Sequence, residues 1–431
     1  MFKVGLYTLG CKVSQYETEA IAEAFEKEGF SVCDFDGPCD VYVINTCTVT
    51  AESDRKSRQF IRRAVRQNPD ACVAVCGCYS QRSAEEVSGI EGVSIVIGTQ
   101  DKLSLVELAK RWLKEKGRTV SVTDLSFAEF EKMRITKAPR TRAYLKIEDG
   151  CECRCTYCAI ADARGRVRSK DPRDVIDEVK ALAEGGTREV VLTGIEIGSY
   201  GKDLEGGFDL AELICALDKE RACERIRIGS LAPELVGKSF VERVKDAKIL
   251  VPHFHISMQS GSDNVLKAMK RRYTRAIALE NIQRIRAAFP DATFTTDLMV
   301  GFPGESEEDF LDTVRLVREA HFLDAHVFQY SRRKNTPAAE YPLQIPEDVK
   351  RRRSSELMRA VREERDLVLD GIVGCCKPLS CIFETYSDGR LIAHSDTYAE
   401  VSARSDTDLR GEIGLVKPLY HKDGVIYGEI L

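Results

Sequence analysis

The residues of this chain best suited to chemistry are three cysteines within eight positions. Cys151, Cys155 and Cys158 form the pattern CxxxCxxC in the segment GCECRCTYCA. Three thiolates at this spacing can bind one soft metal centre, but a structural zinc ion takes four protein ligands and no histidine is close in sequence. Ferredoxin-type clusters are held by four cysteines. This group, the loop triplet, therefore predicts a [4Fe–4S] cluster with one iron open to another ligand.

Cys153 lies in the same segment and leaves a second ligand set open. Cys151, Cys153 and Cys155 also form a group of three closely spaced thiols. Spacing alone does not decide between the two sets, because each places three thiols on one short loop. A zinc loop or a cysteine-rich turn without metal is the simpler alternative.

A second group of cysteines follows segments that are typical of strands. Cys11, Cys47 and Cys78 each close such a segment. The carboxyl ends of parallel strands lie side by side at one edge of a sheet, so these thiols are expected to converge there. This group, the edge triplet, would form a second open site. Periodicity does not choose between Cys76 and Cys78, although the place of Gly77 favours Cys78.

The elements that position the edge triplet are expected in residues 1–130, as a small parallel α/β domain. Short apolar runs alternate with helical patterns, which is typical of a parallel sheet. The predicted strands are Lys3–Leu9, Val41–Ile44, Cys72–Val75 and Val93–Ile97, and the predicted helices are Glu17–Glu28, Asp54–Gln67 and Leu103–Lys116. A mixed connection over 124–140 follows.

Residues 141–368 are expected to form a partial (β/α)6 barrel. Pro172 after Asp171 is a good helix start, and functional residues of such barrels lie at the carboxyl ends of the strands. The loop triplet follows the first strand and so lies at that end. The predicted strands are Ala143–Ile147, Glu189–Thr193, Arg225–Gly229, His253–Met258, Thr293–Met299 and His326–Tyr330, with helices such as Pro172–Glu184 and Glu305–Ala320.

The last part of the chain, 369–431, changes character. A helix rich in Lys and Arg runs from Pro346 to about Asp370, and five short β-like runs follow between turn residues, which predicts a small all-β barrel. These runs are Leu379–Tyr386, Arg390–His394, Tyr398–Ala403, Gly414–Leu419 and Gly424–Ile430. The expected fold class is α/β, with a parallel N-terminal domain, a central partial barrel and a C-terminal β-barrel.

The loop triplet resembles the signature of the radical S-adenosylmethionine (SAM) superfamily, with Tyr157 at the aromatic position before its last cysteine. The segments Thr8–Glu19, Asn45–Val49 and Gly77–Tyr79 are similar to the methylthiotransferase branch of that superfamily. The form TLGCKV, with ARGRVR at 163–168, is most similar to the MtaB type. The likeness covers essentially the whole chain: methylthiotransferase N-terminal domain, radical SAM core and C-terminal TRAM domain.

This resemblance implies two [4Fe–4S] clusters and SAM as cofactors. It favours the loop triplet as ligands of the radical SAM cluster and assigns the edge triplet to an auxiliary cluster that handles sulfur. Clusters and SAM carry the chemistry, so no acid–base catalytic residue is expected. Strand ends and a basic group near the pocket mouth would bind SAM: Gly194, Glu196, Gln259, Ser260, Arg272 and Asp297.

The reaction implied by the resemblance is the 2-methylthiolation of N6-threonylcarbamoyladenosine at tRNA position 37. An aromatic C2–H is too inert for acid–base activation, so a radical supplied by the cofactor is needed. The alternatives are methylthiolation of a ribosomal protein side chain or of another adenosine-37 derivative. An alternative from another class is a non-catalytic electron-transfer protein or a zinc-dependent RNA-binding protein.

The composition, with 43% hydrophobic and 31% charged residues, indicates a globular chain. No apolar run is long enough for a bilayer and no signal-peptide pattern opens the sequence, so a cytoplasmic protein with no membrane partner is expected. In that compartment 16 cysteines are more typical of metal binding and packing than of disulfides.

The net charge of −5 gives no global basic field, so any contact with RNA must be local. The partners implied by the resemblance are a tRNA anticodon stem-loop and a reducing electron donor such as flavodoxin or ferredoxin. The basic residues expected to contact RNA are Arg166, Arg168, Arg332, Arg333 and Arg351.

Overall fold

The structure, a computed structural model, describes residues 1–138 and 141–431. Three units follow one another along the chain: a six-stranded parallel sheet, a curved set of parallel strands and a closed barrel. The predicted connection 124–140 ends in residues 139 and 140, which lie outside the described residues. No helix in the described part of the chain is both long and apolar enough to cross a membrane.

The N-terminal unit is a parallel sheet in the order β2-β1-β3-β4-β5-β6. All four predicted strands are present, and two edge strands of three residues each, β2 and β6, add to them. The strands are β1 (Lys3–Thr8), β2 (Ser31–Cys33), β3 (Val41–Thr46), β4 (Cys72–Gly77), β5 (Val93–Ile97) and β6 (Thr119–Ser121). The helices are α1 (Lys12–Lys27), α2 (Ala51–Gln67), α3 (Cys78–Arg82), α4 (Ala84–Ser88) and α5 (Leu105–Glu115).

Helix α1 begins five residues before the predicted start at Glu17. Its first residue follows Cys11 directly, and the Cys11 side chain makes no capping hydrogen bond. The start therefore carries none of the capping residues that mark a helix in sequence. Helix α2 does carry one, because Thr50 accepts a hydrogen bond from the amide of Ser53.

The central unit is a partial barrel of parallel strands, as predicted. It consists of two sheets, ordered β11-β10-β7 and β12-β13-β14-β15, with a small β8-β9 pair beside them. The amide of Gly229, between β11 and β12, donates to the carbonyl of Leu192 at 2.8 Å. The strands are β7 (Arg142–Lys146), β8 (Glu148–Asp149), β9 (Arg168–Ser169), β10 (Glu189–Thr193), β11 (Arg225–Ile228), β12 (Ser230–Leu231), β13 (His253–Gln259), β14 (Thr293–Val300) and β15 (Asp324–Gln329).

Helices cover the outside of this barrel. Two of them, α7 and α12, match the predicted helices closely, and both begin with a capping side chain, from Asp171 and Ser306. The helices are α6 (Ile160–Arg164), α7 (Pro172–Glu184), α8 (Leu210–Lys219), α9 (Lys238–Val244), α10 (Asp263–Ala268), α11 (Arg275–Ala288) and α12 (Glu307–Ala320). Short 3-10 turns lie at Lys102–Ser104, Ile197–Ser199, Pro233–Leu235 and Pro337–Glu340.

The C-terminal unit is a closed five-stranded barrel in the order β16-β17-β18-β20-β19, which confirms the predicted fold class. Helix α13 (Glu347–Gly374) leads into it, so the predicted boundary at 368/369 falls inside one continuous helix. Leu369 of that helix is buried among barrel residues. The strands are β16 (Leu379–Ser387), β17 (Arg390–Ser395), β18 (Glu400–Arg404), β19 (Ile413–Lys422) and β20 (Val425–Ile430).

The first two units share one continuous hydrophobic core. Their sheets meet at the carboxyl ends of the strands, where the amide of Ala51 donates to the hydroxyl of Ser331 at 3.1 Å. Helices α3 and α6, which follow the two cysteine groups, are in contact there. The fold therefore places the strand ends that carry both triplets against each other.

Candidate active site between two parallel sheets

The edge triplet lies at the carboxyl ends of β1, β3 and β4. Cys11 precedes α1, Cys47 follows β3 and Cys78 is the first residue of α3. Cys47 and Cys78 are 7% and 5% exposed, whereas Cys11 is open to solvent. Burial and then the neighbouring Cys78 thiol raise the pKa of Cys47 to about 12, and Cys11 adds to this effect. The parallel-strand argument therefore brings the three thiols together, and their role as ligands stays a prediction.

Gly77 turns the chain so that Cys78 faces this edge. Its φ is +100°, and a Cβ atom there would lie 2.5 Å from Asn45 Oδ1 and 2.5 Å from the carbonyl oxygen of Thr46. Only glycine adopts this conformation without strain. Cys76, one residue earlier, is fully buried in the hydrophobic core. Cys76 is therefore a packing residue in this structure.

The loop triplet follows β8 and lies beside the carboxyl ends of the barrel strands. Cys155 is buried, and its sulfur accepts a hydrogen bond from Arg271 Nη1 at 3.5 Å. The sulfur of Cys158 accepts from the amide of Ile160 at 3.4 Å. The neighbouring Cys153 thiol, together with burial, raises the pKa of Cys151. Cys153 thus lies beside the ligand set, and the alternative that includes it remains open.

The donor chemistry of both triplets fits iron–sulfur clusters better than single ions. Within the described residues, no three His, Cys, Asp or Glu side chains are grouped so as to hold one metal ion. Ligands of a zinc ion lie about 2–2.3 Å from the metal, which brings them close together. A cluster of four irons is larger and separates its cysteines further. Each triplet offers sulfur donors alone, as such clusters require.

A buried carboxylate beside the loop triplet is suited to bind an amino group. Oε1 of Glu196 is buried and has no hydrogen-bond partner within the described part of the chain. Burial, together with the nearby Cys153, raises the pKa of Glu196 to about 7. Gly194 allows the close approach of Glu148, because a Cβ on Gly194 would lie 2.5 Å from Glu148 Oε2. A buried oxygen without a partner is costly, so this site fits the positively charged amino group of SAM.

Asp297 lies on β14 between two histidines. His255 Nε2 is 3.1 Å from one carboxylate oxygen, and His326 Nδ1 is 3.5 Å from the other. Burial alone would raise the pKa of Asp297, but the hydrogen bonds from both histidines outweigh it and lower that pKa. Gln259 ends β13 with a φ of +66° and is largely buried. Both residues border the barrel mouth, and their contact with SAM stays a prediction.

Ser260, another residue of the predicted SAM pocket, follows β13 and packs against α12. Its hydroxyl lies 3.3 Å from the hydroxyl of Thr313 on α12 and accepts a hydrogen bond from the amide of Ser262 at 3.1 Å. The side chain is fully buried and holds its own turn against the helix. Its contact with SAM stays a prediction. Arg272 remains exposed and donates to the carbonyl of Glu152 at 3.4 Å.

Two of the five arginines expected to contact RNA are buried. Arg168 is 2% exposed and donates to the carbonyl of Arg164 at 2.8 Å. Arg333 is 6% exposed and pairs with Asp54 at 2.6 Å. Their guanidinium groups have partners inside the protein, and their contact with RNA stays a prediction. The remaining three are exposed: Arg166, Arg332 and Arg351.

Sequence reasoning missed two arginines that contact the cysteine groups. Arg271 contacts Cys155, although the basic residue that the sequence predicts near the SAM pocket is its neighbour Arg272. Arg164 Nε donates to the sulfur of Cys78 at 3.2 Å. The only sequence signal for Arg164 is its place in the ARGRVR segment, because its partner lies 86 residues away.

Lys12 brings a positive charge to the boundary between the first two units, near Cys11 and Asp297. No carboxylate of the described residues forms an ion pair with it, and its ammonium lies 6.0 Å from the ring centre of Tyr144. Burial and the nearby Arg142 and Arg227 lower the pKa of Lys12, while Asp297 and Cys11 oppose that shift. The ammonium therefore lies among residues of both units and lacks a counter-ion of its own.

Two family models match the regions that hold the two triplets. The model of the Radical SAM superfamily matches residues 145–317. A second model, described as Uncharacterized protein family UPF0004, matches residues 3–98.

Similarity to curated proteins extends over the whole chain. The threonylcarbamoyladenosine tRNA methylthiotransferase MtaB of Bacillus subtilis is 39% identical, with 100% of this chain and 96% of that protein covered. The chain belongs to the MtaB-type radical SAM methylthiotransferases. This confirms the family indicated by the cysteine motifs. The MtaB of Aquifex aeolicus is 37% identical over 84% of this chain and 88% of the relative.

A relative in the same family is named for a different nucleoside. The tRNA-2-methylthio-N(6)-dimethylallyladenosine synthase of Alkaliphilus oremlandii is 34% identical over 84% of this chain and 78% of that protein. Among solved structures, the radical S-adenosylmethionine methyltransferase TsrM from Kitasatospora setae, with cobalamin and a [4Fe-4S] cluster bound, matches with a TM-score of 0.59. That match has 18% identity and covers 79% of this chain and 77% of TsrM. At this identity the likeness to TsrM concerns the fold alone.

Proposed function

We propose that this MtaB-type methylthiotransferase converts N6-threonylcarbamoyladenosine at tRNA position 37 to its 2-methylthio derivative. The observation that carries the proposal is the meeting of the two cysteine triplets at facing strand ends, with Arg164 of the barrel in contact with Cys78 of the N-terminal sheet. Two sulfur-rich sites at one boundary between units suit a reaction that needs both a radical source and a sulfur donor. The ribosomal-protein alternative is not favoured, because the relatives reported above are named for tRNA.

The cofactors of this proposal are two [4Fe–4S] clusters and SAM. The edge triplet would hold the auxiliary cluster, and the loop triplet would hold the radical SAM cluster. When bound, these groups supply the radical that removes the C2 hydrogen and the sulfur and methyl group that replace it. Glu196 would accept a hydrogen bond from the amino group of SAM. Gly194 would allow Glu148 to lie close to this site.

Lys12 would orient the substrate. The threonylcarbamoyl group carries a carboxylate, and Lys12 is a cation without an ion-pair partner among the described residues. A charge-assisted hydrogen bond between the two groups is stronger than a neutral one. The dimethylallyl group that names the Alkaliphilus relative has no charge to offer. Lys12 would therefore favour the substrate that carries a carboxylate.

Residues 1–130 would handle sulfur, and residues 141–368 would generate the radical. Residues 369–431 would contact RNA, together with exposed arginines of the central unit. The exposed Arg166, Arg332 and Arg351 would contact phosphates of the anticodon stem-loop. A flavodoxin or ferredoxin would supply electrons, and the reaction would take place in the cytoplasm.

Nucleoside mass spectrometry of tRNA tests the function in cells. A strain lacking this protein should lose 2-methylthio-N6-threonylcarbamoyladenosine, and the intact chain should restore it. The variants Cys78→Ala and Cys155→Ala should each fail to restore it, whereas Cys72→Ala, a buried cysteine outside both triplets, should succeed. An unchanged level of the modified nucleoside in the strain without the protein would reject the proposal.

A further inference from the structure

Each cysteine triplet receives a hydrogen bond from one arginine. Arg164 Nε donates to the sulfur of Cys78 at 3.2 Å, and Arg271 Nη1 donates to the sulfur of Cys155 at 3.5 Å. The two contacts are separate, because one arginine faces the edge triplet and the other faces the loop triplet. Neither contact is needed to explain how the triplets hold their clusters.

Arg164 is held in place by residues of both the N-terminal unit and the central unit. It is fully buried, and its guanidinium binds both oxygens of Glu17 on α1, at 2.5 and 3.1 Å. It also binds Asp149 at 3.1 Å, at the end of β8. These bonds leave Nε pointing at Cys78. The arginine is therefore held in one orientation before any ligand binds.

The buried cations around Arg164 outnumber the two carboxylates that pair with them, Glu17 and Asp149. Glu17 also pairs with Lys102 and Lys146, at 3.2 and 3.1 Å, and both lysines are fully buried. Buried carboxylates and cations thus form one connected network. Its members position Arg164, and the donated N–H is the contact that reaches the sulfur.

Arg271 is held by groups of the barrel alone. Its Nη2 donates to the carbonyl of Ser257 at 3.1 Å, and its Nε donates to the hydroxyl of Tyr273 at 3.2 Å. The arginine lies over the Tyr273 ring as well, at 5.0 Å from the ring centre. Its position does not depend on the N-terminal unit.

A hydrogen bond and a positive charge at a cysteine ligand stabilise the more negative state of an iron–sulfur cluster. Hydrogen bonds to the sulfurs, net charge and solvent exposure set the reduction potential of such clusters. Burial strengthens the effect, because the local dielectric is low. Each arginine should therefore raise the potential of the cluster it contacts and leave the other nearly unchanged.

We propose that Arg164 and Arg271 are positioning residues that set the reduction potentials of the auxiliary and radical SAM clusters independently. The inference rests on the proposed function, since it requires each triplet to hold its cluster. Reduction here adds one electron from an external donor to a cluster, and no bond forms or breaks. Separate reduction potentials would keep the auxiliary cluster from competing for the donor's electrons with the radical SAM cluster, which must cleave SAM.

The test uses the full chain with one cluster at a time. Replacing Cys151, Cys155 and Cys158 by alanine leaves the auxiliary cluster alone, and replacing the edge triplet leaves the radical SAM cluster alone. Dithionite titrations followed by electron paramagnetic resonance then give the midpoint potential of each cluster. Arg164→Gln should lower the potential of the auxiliary cluster alone, and Arg271→Gln that of the radical SAM cluster alone. Arg173→Gln, an exposed charge change on α7, should move neither.

Conservative variants keep the test decisive if a glutamine variant does not load its cluster. Arg164→Lys retains the charge but not the fixed fork, so a smaller shift in the same direction is expected. Unchanged midpoint potentials, or equal shifts in both backgrounds, would overturn the inference. If the triplets do not hold two clusters, as the proposed function requires, the two alanine backgrounds will not each lose half of the iron. That result differs from unchanged potentials in chains that do lose half of their iron.

Discussion

At the scale of single residues, the charge of Lys12 is the feature most directly tied to substrate choice. Lys12→Gln should lower kcat/KM for tRNA carrying threonylcarbamoyladenosine by about tenfold or more, since a hydrogen bond to a charged group contributes ~1.5–3 kcal/mol and 1.4 kcal/mol is tenfold. The same variant should lose little or nothing on a tRNA whose adenosine carries a neutral N6 group. Kinetics on the two tRNAs, with product detection by mass spectrometry, measure this difference.

The control for Lys12 is Lys3, an exposed lysine at the start of β1, at the opposite end of that strand from Cys11. Lys3→Gln should leave both substrates unaffected. Equal losses on the charged and the neutral substrate for Lys12→Gln would contradict a role in reading the carboxylate.

Cys153 is the residue whose role the sequence leaves most open. Because the loop triplet without it has the spacing of the superfamily signature, Cys153→Ala should retain both clusters, while Cys155→Ala should lose about half of the iron. Iron and sulfide content of the purified variants measures this. Loss of a cluster in Cys153→Ala, with Cys158→Ala unaffected, would show that the alternative ligand set is the true one.

The cysteine groups could be predicted from the sequence, but the arginines beside them could not. Spacing within one loop identifies the loop triplet, and strand ends identify the edge triplet. Arg164 and Arg271 meet their cysteines through contacts between residues 86 and 116 positions apart. Such contacts depend on how segments distant in sequence pack, which no local pattern records. The burial of Arg333 is set in the same way, because its partner Asp54 lies 279 positions away.

At the scale of elements, the turn from β4 into α3 decides where Cys78 lies. Gly77→Ala puts a Cβ within 2.5 Å of Asn45 Oδ1 and of the Thr46 carbonyl at a φ of +100°, so the turn must shift. The auxiliary cluster should then be lost and the iron content should fall by about half, while the radical SAM cluster stays. Gly117→Ala has open space around its Cβ and is the matched control. Full iron content in Gly77→Ala would contradict this role of the turn.

The elements that sequence patterns missed are the short and uncapped ones. Strands β2 and β6 have three residues each and pair at the sheet edges, so they carry too little periodicity to be recognised. Helix α1 starts without a capping side chain, and the sequence predicts its start five residues too late. Helix α7, which is capped by Asp171 and has Pro172 as its first residue, begins where the sequence predicts.

At the scale of the whole molecule, one ion cluster joins the C-terminal barrel to the core. Glu189 on β10 pairs with Arg227 at 2.7 Å, and Arg227 also donates to the carbonyls of Ser395 and Asp396 in the C-terminal barrel. Glu189 is fully buried. Glu189→Gln leaves buried arginines uncompensated, and the free energy of unfolding should fall by about 3–5 kcal/mol. Denaturant unfolding measures it, with the exposed Glu412→Gln as the control.

The same cluster predicts how stability depends on pH. Burial alone would raise the pKa of Glu189, but Arg227, Arg142 and Arg225 outweigh it and lower that pKa. A lowered pKa in the folded state gives stability that is present above the unfolded value, about 4.3, and is lost as the pH falls further. Unfolding free energies measured at successively lower pH should fall more steeply below that value for the wild type than for Glu189→Gln. Parallel curves would contradict the assignment.

The central claim, that two cysteine triplets at one boundary between units together modify an adenosine of tRNA, is tested most directly by a reaction with purified components. The protein with both clusters loaded is given SAM, a reductant and tRNA carrying N6-threonylcarbamoyladenosine at position 37, and the nucleosides are analysed by mass spectrometry. The intact chain should form the 2-methylthio derivative, and chains that lack either triplet should form none. Absence of product from the fully loaded protein, or full activity without the edge triplet, would contradict the account.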